Sequence, residues 1–326
     1  MNKDIPVTTL LIVGTGALAN LFGARLVQAG QPVVMLGTWA EGLQALQARG
    51  ICVEETAGTS RCYPVRATQD PALCRGIQYA LVLVKAWQTQ RAASTLAQCL
   101  PAHGLALTLQ NGWGNREVLQ GSLGPERVAL GVTTTGATLL APGHVRPGGQ
   151  GAIAIGRHPR LAALTRLLQR AGFEVAISDD VNALLWGKLV INAAINPLTS
   201  LLQVPNGELL VRPAARQLMA MAACEAAAVG QANGLSLPFA DPVVAAEEVA
   251  KRTATNHSSM FQDVKRGAPT EINAICGAVV RTGQKLGIPT PVNQALELLV
   301  KAKAEIESRR ISESADGQMS HLHEDC

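Results

Sequence analysis

Aromatic side chains are scarce in this chain, 3% of 326 residues, and neither sign of charge dominates, with 28 Lys and Arg against 24 Asp and Glu. A polycation that coats nucleic acid needs a far larger basic excess, and a disordered chain needs fewer apolar residues than the 48% found here beside 16% charged. Long apolar runs are also missing: Lys188, Asn192 and Asn196 interrupt the richest candidate, Val181 to Leu202, so no membrane span is expected. The seven cysteines are odd in number, scattered, and form no C-x-x-C pair, which reads as reduced, mostly buried thiols of a cytosolic protein. His321, His323 and Cys326 match no closed zinc spacing, so no metal is expected. At the N-terminus, the apolar run Leu10-Leu11-Ile12-Val13 is too short for a signal peptide and Asp4 spoils its basic start, which points to a cytoplasmic location.

What is present is material for two domains. The first half alternates short β-type runs with helical patterns, the arrangement of parallel β-α-β units. Strands are expected at Thr9–Val13, Val33–Leu36, Tyr79–Val84, Leu105–Leu109 and Val128–Gly131, with helices from about Ala17 to Ala29 and from about Gln88 to Cys99. Ile51–Glu55 and Cys62–Val65 read as an added hairpin, and Gly131–Gly156 as turn-rich finishing strands. From Asp179 the pattern is almost wholly helical: Asp179–Ile195, Arg212–Asn233, Pro242–Ala254, Glu271–Leu286 and Pro291–Arg309. The expected organisation is therefore an α/β domain over residues 1–178, an all-α domain over 179–310, and a tail without regular structure over 311–326. Ala-rich helices such as Met219–Val229 suit close packing, either within the domain or across a homodimer.

Gly14-Thr15-Gly16-Ala17-Leu18-Ala19 follows a strand and opens a helix, which makes it G-x-G-x-x-A, an allowed form of the dinucleotide fingerprint of Rossmann-type domains. Gly14 permits the tight turn, and Gly16 lets backbone N–H groups at the helix N-terminus approach a pyrophosphate. At the end of the second strand stands Leu36-Gly37-Thr38, with neither the carboxylate that would bind the ribose hydroxyls of NAD nor an arginine for the 2′-phosphate of NADP. Absence of the carboxylate removes a repulsion and Thr38 can hydrogen-bond a phosphate, so the preference is for NADPH, with NADH as the alternative.

In the helical half, Lys188, Asn192 and Asn196 recur every four residues and so share one helix face. A lysine among Leu184, Leu185, Trp186, Leu189, Val190 and Ile191 either snorkels to water or is held where burial lowers its pKa toward general-acid duty. Two amides in register favour the second reading. Further on, Ser259 and Glu271 offer a hydroxyl donor and a carboxylate acceptor to a small polar substrate, although an acid at Glu271 equally suits the first turn of a helix. Trp87 and Trp113 suit the walls of a cofactor cleft better than a nucleic-acid platform.

These pieces, read with their neighbours, resemble the ketopantoate reductase (2-dehydropantoate 2-reductase) family from the first strand to about residue 309. The matching segments are GTGALA at Gly14–Ala19, KAWQ at Lys85–Gln88, QNGWG at Gln110–Gly114, LWGKLVINAAINPLTSL at Leu185–Leu201, PNGEL at Pro205–Leu209, SSMFQD at Ser258–Asp263 and TEI at Thr270–Ile272. The resemblance implies NADPH-dependent reduction of the ketone in 2-dehydropantoate to give (R)-pantoate, a step toward pantothenate and coenzyme A. It further implies that Lys188 is catalytic, that Glu271, Asn192, Asn196 and Ser259 bind a small-molecule 2-oxo acid with Asn206 lining the same region, that Asn111 lies beside the nicotinamide ribose at an interdomain cleft, and that Lys85 lies near the cofactor and the hinge. Thr38 departs from the arginine common at that position in the family. Two rival readings are a sister reductase acting on another 2-oxo or 3-hydroxy acid, and a non-catalytic NADP-sensing protein on the same scaffold.

Overall fold

A computed structural model gives the fold, and it describes residues 9–56 and 58–321. Two compact units emerge: residues up to Gln110 with Gly114–Val181, and Asn111–Trp113 with the chain from Asn182 onward.

The first unit runs β1 (Leu10–Val13), α1 (Ala17–Gln28), β2 (Val33–Leu36), α2 (Ala40–Arg49), β3 (Ile51–Thr56), β4 (Thr59–Tyr63), β5 (Arg66–Thr68), β6 (Tyr79–Val82), α3 (Thr89–Cys99), β7 (Leu105–Thr108), α4 (Asn115–Leu123), β8 (Val128–Thr133), β9 (Ala137–Ala141), β10 (His144–Pro147), β11 (Ala152–Gly156), α5 (Ala162–Arg170) and β12 (Glu174–Ser178). Eight strands form one sheet in the order β12-β11-β8-β7-β6-β1-β2-β5, parallel throughout except where β11 runs against β8. The strands β1, β2, β7 and β8 are buried along their whole length, as parallel strands covered on both faces must be. Because β2 and β6 flank β1 on opposite sides, the strand order reverses at β1, and the carboxyl end of β1 is the switch point at which open α/β sheets bind ligands.

A second sheet, β4-β3-β10-β9, covers the outer side of α1. That helix is consequently buried on both sides, and Gly23 shows why it must be slim there. A Cβ at Gly23 would come within 2.6 Å of Ile51 on the second sheet and 3.2 Å of the Met35 sulfur on the first. The hairpin expected over residues 51–65 is β3 and β4, and it corrects the reading of all seven cysteines as reduced thiols. Cys52 and Cys62 stand opposite each other in the antiparallel register and are joined as a disulfide. Directly opposed residues bring their Cβ atoms close enough for such a bond. Cys74, Cys99 and Cys276 are free and buried, and Cys224 is free and exposed.

The second unit is helical: α6 (Val181–Leu202), α7 (Glu208–Val211), α8 (Pro213–Ala232), α9 (Pro242–Arg252), α10 (Ser259–Lys265), α11 (Cys276–Leu286) and α12 (Pro291–His321). Where a single helix is expected from Glu271, a short 3-10 turn over Ile272–Ala274 precedes α11. The tail expected from residue 311 is helical as far as His321, and residues 322–326, with His323 and Cys326, lie outside the described residues. Among the described residues no helix is long and apolar enough to cross a membrane.

One stretch of α8 is shaped around an indole. Trp186 of α6 is fully buried, its Nε1 donates to the Ala226 carbonyl at 2.8 Å, and a Cβ on Gly230 would lie 2.4 Å from the ring. Ala222, Ala223 and Ala226 are likewise fully buried, and a side chain at Gly230 would displace the indole rather than pack beside it. Trp186→Ala is expected to destabilise the helical unit by about 3–5 kcal/mol, read as a lower urea midpoint for the loss of helical circular dichroism.

Candidate active site

The glycine turn between β1 and α1 is shaped by contacts that only glycine tolerates. Gly14 has φ +130°, and a Cβ there would lie 2.9 Å from the Leu83 carbonyl oxygen, beyond the end of β6. Its N–H donates to the Leu36 carbonyl at 2.8 Å, so the turn is tied to both neighbouring strands. Thr15 is buried with its methyl against Gly37, where any side chain would meet it at 2.7 Å. Asn20, fully buried on α1, donates its amide to the carbonyls of Thr15 and Gly16, both at 3.0 Å, and holds the back of the turn.

The front of the turn is arranged differently. Nothing lies within 4 Å of the place a Gly16 Cβ would occupy, and among the described residues no side chain caps the N–H groups of Ala17, Leu18 and Ala19. Open space at Gly16, uncapped donors and the positive end of a helix suit a pyrophosphate, so the residues present fit a dinucleotide. Thr38 is exposed just past β2, within the same unit.

A buried polar network fixes two further loops at the carboxyl edge of this sheet. The Gln110 amide donates to the Val84 carbonyl at 2.9 Å and to Thr89 Oγ1 at 2.8 Å, while its Oε1 accepts from Thr108 Oγ1 at 2.9 Å. Thr89 in turn donates to Asn115 Oδ1 at 2.8 Å. Val84 precedes Lys85, and Gln110 precedes Asn111, so the network sets where both loops leave the sheet. Lys85 opens the short turn Ala86–Gln88, its N–H donating to Gln88 Oε1 at 3.3 Å.

Asn111–Trp113 belongs to the helical unit, an allocation that spacing alone does not reveal. Trp113 N–H donates to the Ala274 carbonyl at 2.9 Å, and its ring meets that of Trp186 edge to face at 4.9 Å. Gly112, at φ +85°, sits so close that a Cβ would be 2.6 Å from that of Ala274. Trp113 is half-buried and packs one side of its ring against the core of the helical unit, whereas Trp87 is half exposed on the other unit. The short loop thus grips α6 two residues before Lys188 and the 3-10 turn three residues after Glu271.

Lys188 and Glu271 are brought together. Burial pushes the Lys188 ammonium down from its usual range to about 8, while the negative field of Glu271 pulls the other way. Glu271 is only 5% exposed and stands at the start of the 3-10 turn, which its side chain does not cap. Asn192 and Asn196 follow Lys188 at successive turns of α6, the first half-buried and the second buried. Asn206 is buried before α7, donates to Thr253 Oγ1 at 2.9 Å, and keeps a buried Oδ1 without a partner among the described residues. Ser259 is the exposed first residue of α10.

α6 bends its own rules along this face. Pro197 lies inside it and so leaves the Ala193 carbonyl without its helical donor; the Cys276 thiol approaches that oxygen at 3.9 Å. One turn later, Thr199 and Ser200 both direct their hydroxyls back to the Asn196 carbonyl, at 3.1 and 2.6 Å.

Comparison with known proteins agrees with this geometry. Residues 10–160 match the family model described as ketopantoate reductase PanE/ApbA, and residues 180–304 match its C-terminal counterpart. The 2-dehydropantoate 2-reductase of Halobacterium salinarum is 34% identical over 90% of this chain and 97% of its own. That of Vibrio cholerae is 32% identical over 90% and 96%. Among solved structures, a PanE/ApbA family ketopantoate reductase from Ralstonia eutropha JMP134 superposes with a TM-score of 0.86 at 33% identity, covering 92% of this chain and 99% of that one. A D-mandelate dehydrogenase bound to NADH and anilino(oxo)acetate has the same TM-score at 25% identity and the same coverage. A glycine turn that fits a dinucleotide, a desolvated lysine paired with a buried glutamate, and family models spanning both units have one common explanation: the chain belongs to the ketopantoate reductase family.

Proposed function

We propose that this protein reduces 2-dehydropantoate to (R)-pantoate with NADPH, through Lys188 as general acid. The observation that carries the reading is the Lys188 ammonium, held down to about 8 by burial beside a Glu271 that does not cap its own turn. The curated relatives named 2-dehydropantoate 2-reductase support the choice of substrate.

The cofactor, when bound, supplies a hydride to the carbonyl carbon of the substrate. Negative charge then develops on the carbonyl oxygen, and Lys188 hydrogen-bonds that oxygen and gives it a proton, leaving a neutral amine that solvent reprotonates. A pKa near 8 suits this task better than an ordinary lysine's, because the ammonium is still charged at neutral pH yet releases its proton readily. Asn192 and Asn196 hold the lysine and the substrate in register. Glu271 accepts a hydrogen bond from the primary hydroxyl, Ser259 receives the carboxylate, and Asn206 lines the same region. Residues Gly14 to Ala19 would cradle the pyrophosphate, Thr38 would hydrogen-bond the 2′-phosphate, and Lys85 and Asn111 are the residues assigned to the nicotinamide end.

A second reading, reduction of a bulkier 2-oxo acid with NADH, is favoured by the D-mandelate dehydrogenase likeness and by Thr38 in place of a cation. Steady-state oxidation of NADPH and NADH with 2-dehydropantoate and with phenylglyoxylate separates the two. Higher kcat/KM for 2-dehydropantoate with NADPH is the expected result, and the reverse ranking on both axes overturns it.

Lys188→Ala should lose about 10²–10⁴ in kcat while binding NADPH with unchanged affinity. In the wild type, kcat/KM for reduction should fall as pH rises through about 8, because the acid form of Lys188 is lost there. Glu271→Gln should raise the KM for substrate by about 10- to 100-fold. It should also move that alkaline limb to lower pH, since the field of Glu271 is what raises the Lys188 pKa against burial.

A further inference from the structure

Thr199 lies on α6 eleven residues beyond Lys188 and is fully buried, and Ser258, immediately before α10, is 7% exposed. Their hydroxyl oxygens are 2.8 Å apart. The direction of each proton follows from the surroundings. Thr199 Oγ1 lies 3.0 Å from the Ile195 carbonyl and 3.1 Å from that of Asn196, both acceptors, so its proton points into α6. Ser258 Oγ accepts the Phe261 N–H at 3.1 Å as the cap of α10, so its own proton is left to donate to Thr199 Oγ1. Each hydroxyl therefore has its donor and an acceptor lone pair engaged, and the chain of bonds runs from the α6 backbone at Ile195 and Asn196 to the first turn of α10.

The two ends of that chain carry expected substrate contacts. Asn196 contributes one carbonyl to it, and Ser259 is the residue next to Ser258. We infer that Thr199 and Ser258 are positioning residues: their hydrogen bond fixes Ser259 against the α6 face bearing Asn192 and Asn196, and so sets how well the site receives the carboxylate of a 2-oxo acid. Neither hydroxyl touches substrate, because both are buried and already engaged. The inference rests on the assignment of the substrate carboxylate to Ser259.

The α10 side chains Met260, Phe261 and Val264 are buried and anchor the helix by apolar packing. Loss of the hydroxyl pair should therefore shift the angle and register of Ser259 rather than unfold α10. That distinction gives the test its readout. Thr199→Val keeps the shape of the side chain and the Ser258 cap while removing the link; Ser258→Ala removes link and cap together; Thr199→Ser and Ser258→Thr restore a hydroxyl. Each variant, with Ser259→Ala and the Thr199→Val/Ser258→Ala pair, is assayed with 2-dehydropantoate for KM and kcat, and for NADPH dissociation by fluorescence, with thermal melting as the check on folding.

The expected result is a KM raised about tenfold in Thr199→Val and in Ser258→Ala, with NADPH affinity unchanged and kcat altered far less than KM. The pair should be no worse than the poorer single variant, as befits one shared interaction, and Thr199→Ser and Ser258→Thr should recover most of the loss. A wild-type KM in folded Thr199→Val, while Ser259→Ala raises it, overturns the positioning role and leaves the Ser259 assignment standing. Equal loss of substrate and NADPH affinity, or losses that multiply in the pair, also overturns it. A wild-type KM in Ser259→Ala overturns the carboxylate assignment itself, and this inference with it.

Discussion

A charged amine taken out of water is the constraint around which the helical unit is organised. An ion moved into a protein interior loses several kcal/mol of hydration, and Lys188 has lost enough for its pKa to fall to about 8. Glu271 returns part of that loss through its field, so the ammonium survives at neutral pH. The balance depends on apolar surroundings that do not rearrange to admit water. Trp186, locked between Ala226, Gly230 and Trp113, supplies a rigid block two residues away on the same helix. Ala226 and Gly230 of α8 thus make room for one indole.

The dinucleotide turn follows a complementary logic. Its rear is braced: the Asn20 amide donates to two carbonyls, Leu83 and Leu36 fix Gly14, and Thr15 fills the space above Gly37. Its front is left with donors that no side chain takes among the described residues. A helix start that could readily be capped by a serine or aspartate is instead begun by glycine, which forgoes a few tenths of a kcal/mol of local stability and leaves the N–H groups for an anion. The buried Gln110–Thr89–Asn115 network extends the same principle to the loops of Lys85 and Asn111, because a fully satisfied network has one geometry and holds it.

Much of this is legible in the sequence, and the failures have physical causes. The G-x-G-x-x-A turn and the 188, 192, 196 stripe are local patterns whose period is their structure, so strand, turn and helix follow directly. The expected strand Val33–Leu36 matches β2 to the residue, and the expected first crossover helix ends within one residue of α1. What spacing cannot show is which unit a short loop joins. Asn111–Trp113 is flanked by residues of the α/β unit, yet Gly112 and Trp113 make contacts with Ala274 and Trp186, and a tertiary contact of that kind leaves no periodic trace. The same holds for Cys52 and Cys62: neither spacing nor composition reveals that the hairpin register sets them face to face. α10 escapes a reading by periodicity because seven residues are too few to establish a period, although Ser258 ahead of Phe261 is a legible cap.

The irregularity of α6 belongs to the same logic. A proline and two back-bonding hydroxyls within one turn weaken a helix and bend it, and a segment chosen for stability alone would contain none of them. Here they fall at Pro197, Thr199 and Ser200, directly after the face that presents Lys188, Asn192 and Asn196. Two of these departures are met from outside the helix: the Cys276 thiol lies near the carbonyl that Pro197 orphans, and Ser258 answers Thr199. Local rules are broken where neighbouring elements supply replacements: Cys276 lies five residues after Glu271, and Ser258 lies next to Ser259. The distorted segment is therefore tied to the start of α11 through the Cys276 thiol and to α10 through the Thr199–Ser258 hydroxyl pair, so that the geometry of these three elements is set together.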